Sequence, residues 1–369
     1  MLRSLRTLVI KPLLLVTALT PCLVPLASRA AIVPDMGVFA AAETGELLVQ
    51  YAGDEEVYRL SYTDNVMAAQ ALALLEKDSS VVHAQPNFVY QAAAFADDPL
   101  TSLQGHLEVI EAYRGWDIAT SAQPVVIAVI DSGVDIDHPD LEGNIWSNPL
   151  EKKNDLDDDG NDFVDDLHGW DFIENSADPR PKLDPGTPEN SIGVQHGTSV
   201  AGIIAADGNN GIGIAGVAWS AQMMSLRVLN QFGSGNSENV TKALKYAIEQ
   251  QVDIINLSLV GTNFDEFAVQ LLEQAYQEGI IVVAAAGNNG INLNVSKTYP
   301  VCYTGHGAAT VIGVGAITDE FTKPGFSNYG SDCVDVVAPG VKVFTTRHVE
   351  PSFKSQEQYA ALYARLAGR

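Results

Sequence analysis

Basic side chains are scarce. Against 46 Asp and Glu the chain carries 21 Lys and Arg, a net charge of −25 over 369 residues. Such a field repels phosphate backbones and anionic lipid surfaces, so nucleic acid and membrane surfaces are not expected partners. It suits a protein that binds cations. Cysteine is nearly absent, with Cys22, Cys302 and Cys333 alone. Without a matching histidine pair, these do not make a zinc site. Internal repeats and low-complexity tracts are missing, and past the N-terminus no apolar run reaches membrane length. What remains, 46% apolar residues with 31 glycines, fits a compact globular fold.

Residues 1–30 read as a secretory signal. Arg3, Arg6 and Lys11 supply the basic start, Leu13 to Leu26 the apolar stretch, and Ser28-Arg29-Ala30 the small residues of a cleavage site. Pro21 and Pro25 interrupt the stretch, which argues against a stable membrane span. The expected location is therefore secreted, either extracellular or periplasmic. Removing the signal leaves Cys302 and Cys333. Export permits a disulfide between them, but spacing does not show whether their Cα atoms come close enough.

Two domains are expected after the signal, 31–96 and 97–369. In the first, 46–51 and 57–62 read as strands around Gly53-Asp54. The Ala/Leu-rich 64–75 reads as a helix with an acidic cap, and 80–90 as a strand interrupted at Pro86. Gln91 to Pro99 reads as a linker open to nicking. Beyond it, strands expected at 125–131, 223–229, 252–259, 280–287, 309–317 and 334–338 alternate with helices at 196–206, 237–251 and 265–278. That alternation implies an α/β fold of parallel strands with right-handed crossovers.

The chemistry collects at the ends of those strands. Six apolar residues from Val125 to Ile130 run without a polar break into Asp131-Ser132-Gly133. A carboxylate at the carboxyl end of a buried parallel strand lies where open α/β sheets place their ligands, although an Asx turn capping the strand is the plain alternative. His196 opens His-Gly-Thr-Ser-Val-Ala-Gly, with small residues suited to a helix packed closely on the sheet. At the start of such a helix it can face a carboxylate on a neighbouring strand end, or be a satisfied surface histidine. Ile280 to Gly287 runs into Asn288, an amide that can donate to a developing oxyanion or belong to a turn. Separately, Asp155-Leu-Asp-Asp-Asp-Gly160 fits the first half of a calcium loop, with acids at alternate positions and glycine at the sharp turn. Asp155, Asp157, Asp159, Asn161 and, at the closing position, Asp166 would be its ligands; a solvated acidic loop is the alternative.

Ile130-Asp-Ser-Gly-Val, His196-Gly-Thr-Ser-Val-Ala-Gly and Ala284-Ala-Ala-Gly-Asn-Asn-Gly resemble the motifs of the subtilisin-like serine proteases (subtilases, peptidase family S8), in that family's order. Ile255-Asn-Leu-Ser-Leu259, Phe326-Ser-Asn-Tyr-Gly330 and Val336-Val-Ala-Pro-Gly340 match as well, so the resemblance covers about Asp97 to Thr346. It implies a three-layer subtilisin-like domain with a mostly parallel central sheet, preceded by a small α+β propeptide domain. It also implies Asp131 as the group orienting His196, His196 as general base and then acid, and Asn288 as the oxyanion donor. Ser258, Leu259 and Gly261 with Gly233, Ser234 and Gly235 would flank a polypeptide substrate bound as an added strand, and Ala285 and Gly287 would wall the specificity pocket. Val260 stands where the family often has glycine.

Asp140, Gly208, Asn210, Ile212 and Ile214 resemble the family's structural calcium site, so calcium is the expected cofactor. Residues 31–96 resemble its propeptide, expected to act as an intramolecular inhibitor of a monomer. The family's nucleophile motif, Gly-Thr-Ser-Met-Ala, does not occur. The sequence ends at Leu366-Ala-Gly-Arg369, and Leu-Ala-Gly commonly precedes that motif. The expectation is a calcium-stabilised endopeptidase precursor cut short of its nucleophile and inactive as it stands. Two alternatives are a peptide-binding protein that keeps the scaffold and a protease inhibitor built on 31–96.

Overall fold

A computed structural model describes residues 42–88, 96–120, 125–183, 185–188, 191–305, 308–348 and 363–366. They fall into two compact units, one within residues 1–92 and the other within 93–369. The signal segment, most of the 91–99 linker and the serines at 352 and 355 lie outside the described residues.

In the first unit, β1 (Ala42–Tyr51), β2 (Val57–Ser61) and β3 (Val81–Phe88) form an antiparallel sheet of order β2-β1-β3. Helix α1 (Asn65–Leu75) crosses between β2 and β3, and the Asp64 side chain accepts the Met67 N–H at its start. Leu47, Val49, Ala68 and Ala69 form its small core. Strand β3 runs through Pro86, which stands opposite Leu47, and the expected interruption appears only as a shift in register with β1 between Pro86 and Phe88. Because β3 is an edge strand, the ladder loses little from a residue with no N–H.

The second unit starts with two short helices, α2 (Gly105–Val109) and α3 (Ala112–Trp116). There follow β4 (Val126–Asp131), β5 (Gly169–Asp171), α4 (Ile192–Ala205), β6 (Gln222–Arg227), α5 (Ser237–Glu249), β7 (Ile254–Leu257), α6 (Glu266–Gln277) and β8 (Ile281–Ala285). A two-stranded ribbon, β9 (Thr304–Gly305) and β10 (Ala308–Ala309), precedes β11 (Ile312–Ile317) and β12 (Val336–Pro339). Last come β13 (Val343–Thr346) and β14 (Tyr363–Leu366), an antiparallel pair. Seven strands form one sheet of order β12-β11-β8-β7-β4-β6-β5, every pairing parallel.

Period-two alternation divides each strand between two cores. On β4, Ala128 and Ile130 face the core built with α5 and α6, while Ile127 and Val129 face the core built with α4. The chain is thus the expected three-layer α/β arrangement. Strands expected at 252–259 and 280–287 stop at Leu257 and Ala285, because beyond those residues the main chain leaves the ladder for the loops that carry the site. No local pattern marks β5, which is three residues long.

Helix α4 starts at Ile192, with Ser191 at its N-cap position, so His196 sits one turn inside the helix rather than at its start. In the first turn a β-carbon on Gly193 would run into the Asn230 carbonyl, so tight packing selects glycine.

Candidate active site

The buried run of β4 delivers Asp131 to the carboxyl edge of the sheet, where it has no solvent exposure. Its Oδ1 accepts the Ser132 N–H at 2.7 Å, one residue on, whereas an Asx turn would take the N–H two residues on. The same carboxylate also faces His196, with Nδ1 at 2.8 Å from Oδ1 and 2.9 Å from Oδ2. The neighbouring carboxylate raises the His196 pKa against burial, which lowers it. The local backbone contact and the contacts with His196 coexist on the two oxygens.

The approach of α4 to this strand end depends on small residues. A β-carbon on Gly197 would collide with the Gly133 carbonyl, and the Gly197 N–H instead donates to Ser132 Oγ at 3.1 Å. On its other flank the helix is tied to β13. Ser199 Oγ donates to the Thr346 carbonyl at 2.9 Å, and Thr345 and Thr346 donate back to the carbonyls of Ser199 and Thr198. Ser199 belongs to the chain's single Gly-Thr-Ser triplet, and it is fully buried in this packing.

His196 and Asn288 line one cavity of about 610 Å³. Ser258, Leu259, Val260 and Gly261 form one side of it, and Gly233, Ser234 and Gly235 another. Ala285 and Gly287 are not among its lining residues. Ala285 closes β8, and Gly287 is packed beneath Val260 and Asn328. Gly261 exchanges backbone hydrogen bonds with Tyr299 at 2.8 and 2.9 Å, fixing one wall to the segment that carries Tyr299 and Tyr303.

The cation-ligand candidates fall into two groups. Asp140 is fully buried and accepts from Asn210 Nδ2 at 3.0 Å, the Ile214 N–H at 2.9 Å and Tyr363 Oη at 3.1 Å. Burial pushes its pKa up to about 7. Asp98, unmarked in the sequence, joins this group: its carboxylate accepts the N–H groups of Asn209, Asn210 and Gly211 at 2.9 to 3.1 Å. Gly208 packs against Trp219, and the Ile212 N–H donates to Asn210 Oδ1. Two nearly buried carboxylates with no basic partner among these contacts suit a hard cation held by oxygens.

In the acidic loop the carboxylates of Asp159, Asp166 and Glu151 converge, with one oxygen of each within 4.8 Å of the others. Asn161 reaches both aspartates, and Asn148 does the same. Asp157 spends its carboxylate on the N–H groups of residues 160 to 162, and the Asp155 N–H donates to Asp165. The converging set is therefore shifted from the expected linear pattern. Glu151 was missed because it lies upstream of the motif, in a stretch with no spacing to mark it. Its oxygens also accept the N–H groups of Asp158, Asp159 and Asp165.

The sequence model of the Subtilase family, Peptidase S8, matches residues 122–364. The chain is 36% identical over 251 residues to thermitase of Thermoactinomyces vulgaris, covering 68% of this chain and 75% of that protein. It is 34% identical over 275 residues to a thermophilic serine proteinase of Bacillus sp. (strain AK1), covering 74% of this chain and 58% of the relative. Among solved structures it is similar to a cold adapted subtilisin-like serine proteinase, with a TM-score of 0.47, 26% identity, and coverage of 66% of this chain and 69% of the other.

Proposed function

The chain belongs to the subtilase family, and on that premise we propose that it is the acid–base and oxyanion framework of a secreted, calcium-stabilised serine endopeptidase precursor. The observation that carries the reading is the contact of His196 Nδ1 with both oxygens of Asp131, at the rim of a cavity that Asn288 also lines. Asp131 holds the imidazole with its proton on Nδ1. Nε2 is then left to take a proton from a hydroxyl nucleophile and return it to the leaving amine. The Asn288 amide donates to the oxyanion of the tetrahedral intermediate. A polypeptide lies between the 258–261 and 233–235 segments as an added strand.

The motif Gly-Thr-Ser-Met-Ala is not in the sequence, and among the described residues Ser199, Ser327 and Ser331 are engaged elsewhere. Ser199 donates into the packing of α4 on β13. Ser327 Oγ is buried between Ala316 and Asn328. Ser331 Oγ accepts from Asn294. On this reading the residues given would not turn over peptide by themselves, and the unit within residues 31–96 would stay attached in place of being cleaved at the linker. In a subtilisin, removing the nucleophile lowers turnover about a millionfold.

Calcium supplies a positive charge that the two acidic groups lack. Asp98, Asp140 and Asn210 would hold one ion; Glu151, Asp159, Asn161 and Asp166 would hold the other. Both serve stability, and no catalytic step uses them. Export by the N-terminal signal and the inhibitory role of the first unit belong to the same reading.

A fluorogenic peptide assay tests it on two proteins: the chain itself, and the chain with Arg369 replaced by a segment starting Thr-Ser-Met-Ala-Ala-Pro and continuing as a helix. Activity in the second alone is the expected outcome. Equal rates in the two would sink the assignment and favour a scaffold that only binds peptides.

A further inference from the structure

We infer that Asn328 is the positioning residue that holds the Asn288 amide in place, an inference resting on the acyl-transfer reading above. Strand β8 ends at Ala285, so Asn288 projects from a loop with no ladder of its own. Asn328 supplies the missing order from the segment between β11 and β12. Its backbone N–H donates to the Gly287 carbonyl at 2.9 Å, and its Nδ2 donates to the Ala286 carbonyl at 2.8 Å. Its Oδ1 accepts the N–H groups of Asn289 at 3.0 Å and Ile291 at 3.1 Å. Two bonds fall before Asn288 and two fall after it. One residue thus fixes the main chain on both sides of the donor.

Asparagine suits this place chemically. The side chain donates from one atom and accepts twice on another, which an amide does; a carboxylate has no donor, and a hydroxyl has a single atom for both roles. Asn328 is 1% exposed, so a lost bond there would leave a buried polar group unsatisfied. The loop is shaped to the same side chain: Gly287 has φ of +102°, and a β-carbon there would stand 2.6 Å from Asn328 Nδ2. Asn328 is anchored in its turn, because Ser327 Oγ donates to the Asn328 carbonyl at 3.0 Å and accepts the Ala316 N–H of β11 at 2.9 Å. A rigid line therefore runs from the central sheet through Ser327 and Asn328 to the loop around Asn288. Oxyanion donors work by being fixed before charge develops, so this line sets how well Asn288 performs.

The test uses the full chain with 15N-labelled asparagine. Asn288→Asp identifies the Asn288 side-chain amide signal by its loss. In Asn328→Ala, that signal should become mobile and solvent-averaged. Affinity for the product-like peptide succinyl-Ala-Ala-Pro-Ala, whose carboxylate can meet the donor, should fall about tenfold. Asn328→Asp keeps the two accepting bonds and should fall between Asn328→Ala and wild type. The downfield proton between His196 and Asp131 should be unchanged in both. An unaltered Asn288 signal and affinity in Asn328→Ala, alongside a lowered melting temperature, would make Asn328 purely structural and overturn the inference. Joint loss of the His196 and Asn288 signals in both variants would also overturn it, as general loosening. If wild type binds no product peptide, the acyl-transfer reading fails, while the Asn288 signal still decides the positioning role.

Discussion

Asp131 presents both carboxylate oxygens to one nitrogen of His196, at 2.8 and 2.9 Å, from a site closed to solvent. The charge of that carboxylate raises the histidine's pKa against burial. In Asp131→Asn the charge goes and the burial stays. His196, followed by NMR, should therefore titrate above the usual value of about 6.5 in wild type and below it in the variant. The folded state holds this proton more tightly than the unfolded one. The contribution to stability is thus complete below about pH 6.5 and is lost as pH rises through the raised folded value. A His196 titration left in place by the substitution would refute the coupling.

His106 shows the opposite sign. It is 8% exposed, and neither ring nitrogen has a hydrogen-bond partner. Burial lowers its pKa to about 4, against a smaller opposing pull from Asp319. The unfolded chain takes up this proton near pH 6.5 and the folded chain only near 4, so stability falls as pH drops across that window, by up to about 3 kcal/mol. His106→Leu should flatten the fall between pH 7 and 5 in urea unfolding. An identical pH slope in the variant would show that another group is responsible.

Calcium should raise the melting temperature, because an ion bound only by the folded state stabilises it by about 2.7 kcal/mol at a hundred times its dissociation constant. Glu151→Gln and Asp166→Asn should each remove part of that increment, and Asp140→Asn a separate part. Melting curves recorded with calcium and with chelator provide the measurement. Curves that coincide for wild type would remove both ions from the proposal.

On the proposed reading, Val260 should influence which side chain the cavity accepts. It is 44% exposed at the cavity wall, and its Cγ1 lies 3.4 Å from where a β-carbon of Gly287 would stand. It fills space beside the residue preceding Asn288, where the side chain next to a scissile carbonyl would enter. Peptide acids ending in Ala should therefore bind better than those ending in Phe, by about tenfold or more. Val260→Gly should narrow that ratio. Calorimetry on the four combinations decides it, and equal ratios in the two proteins would rule Val260 out as the selector.

The sequence by itself determined the layered α/β fold and the residues with chemistry to offer. An unbroken β-branched run ending in Asp131, a small-residue helix around His196 and a buried strand ending before Asn288 are local patterns. Burial forces each into the composition it has, so each can be read where it stands. What only the tertiary structure decided are relationships across long separations. Glu151 joins Asp159 and Asp166, Asp98 meets the loop beside Asp140, and Asn328 brackets Asn288. Cys302 and Cys333, left open by their spacing, form a disulfide with Cα atoms 4.8 Å apart. The start of α4 at Ile192, four residues before the expected one, includes Gly193, which is glycine to admit the Asn230 carbonyl. A hydrogen-bonding partner or a close approach leaves no periodic mark on its own segment. It is chosen by the residue it meets, and only folding brings the two together.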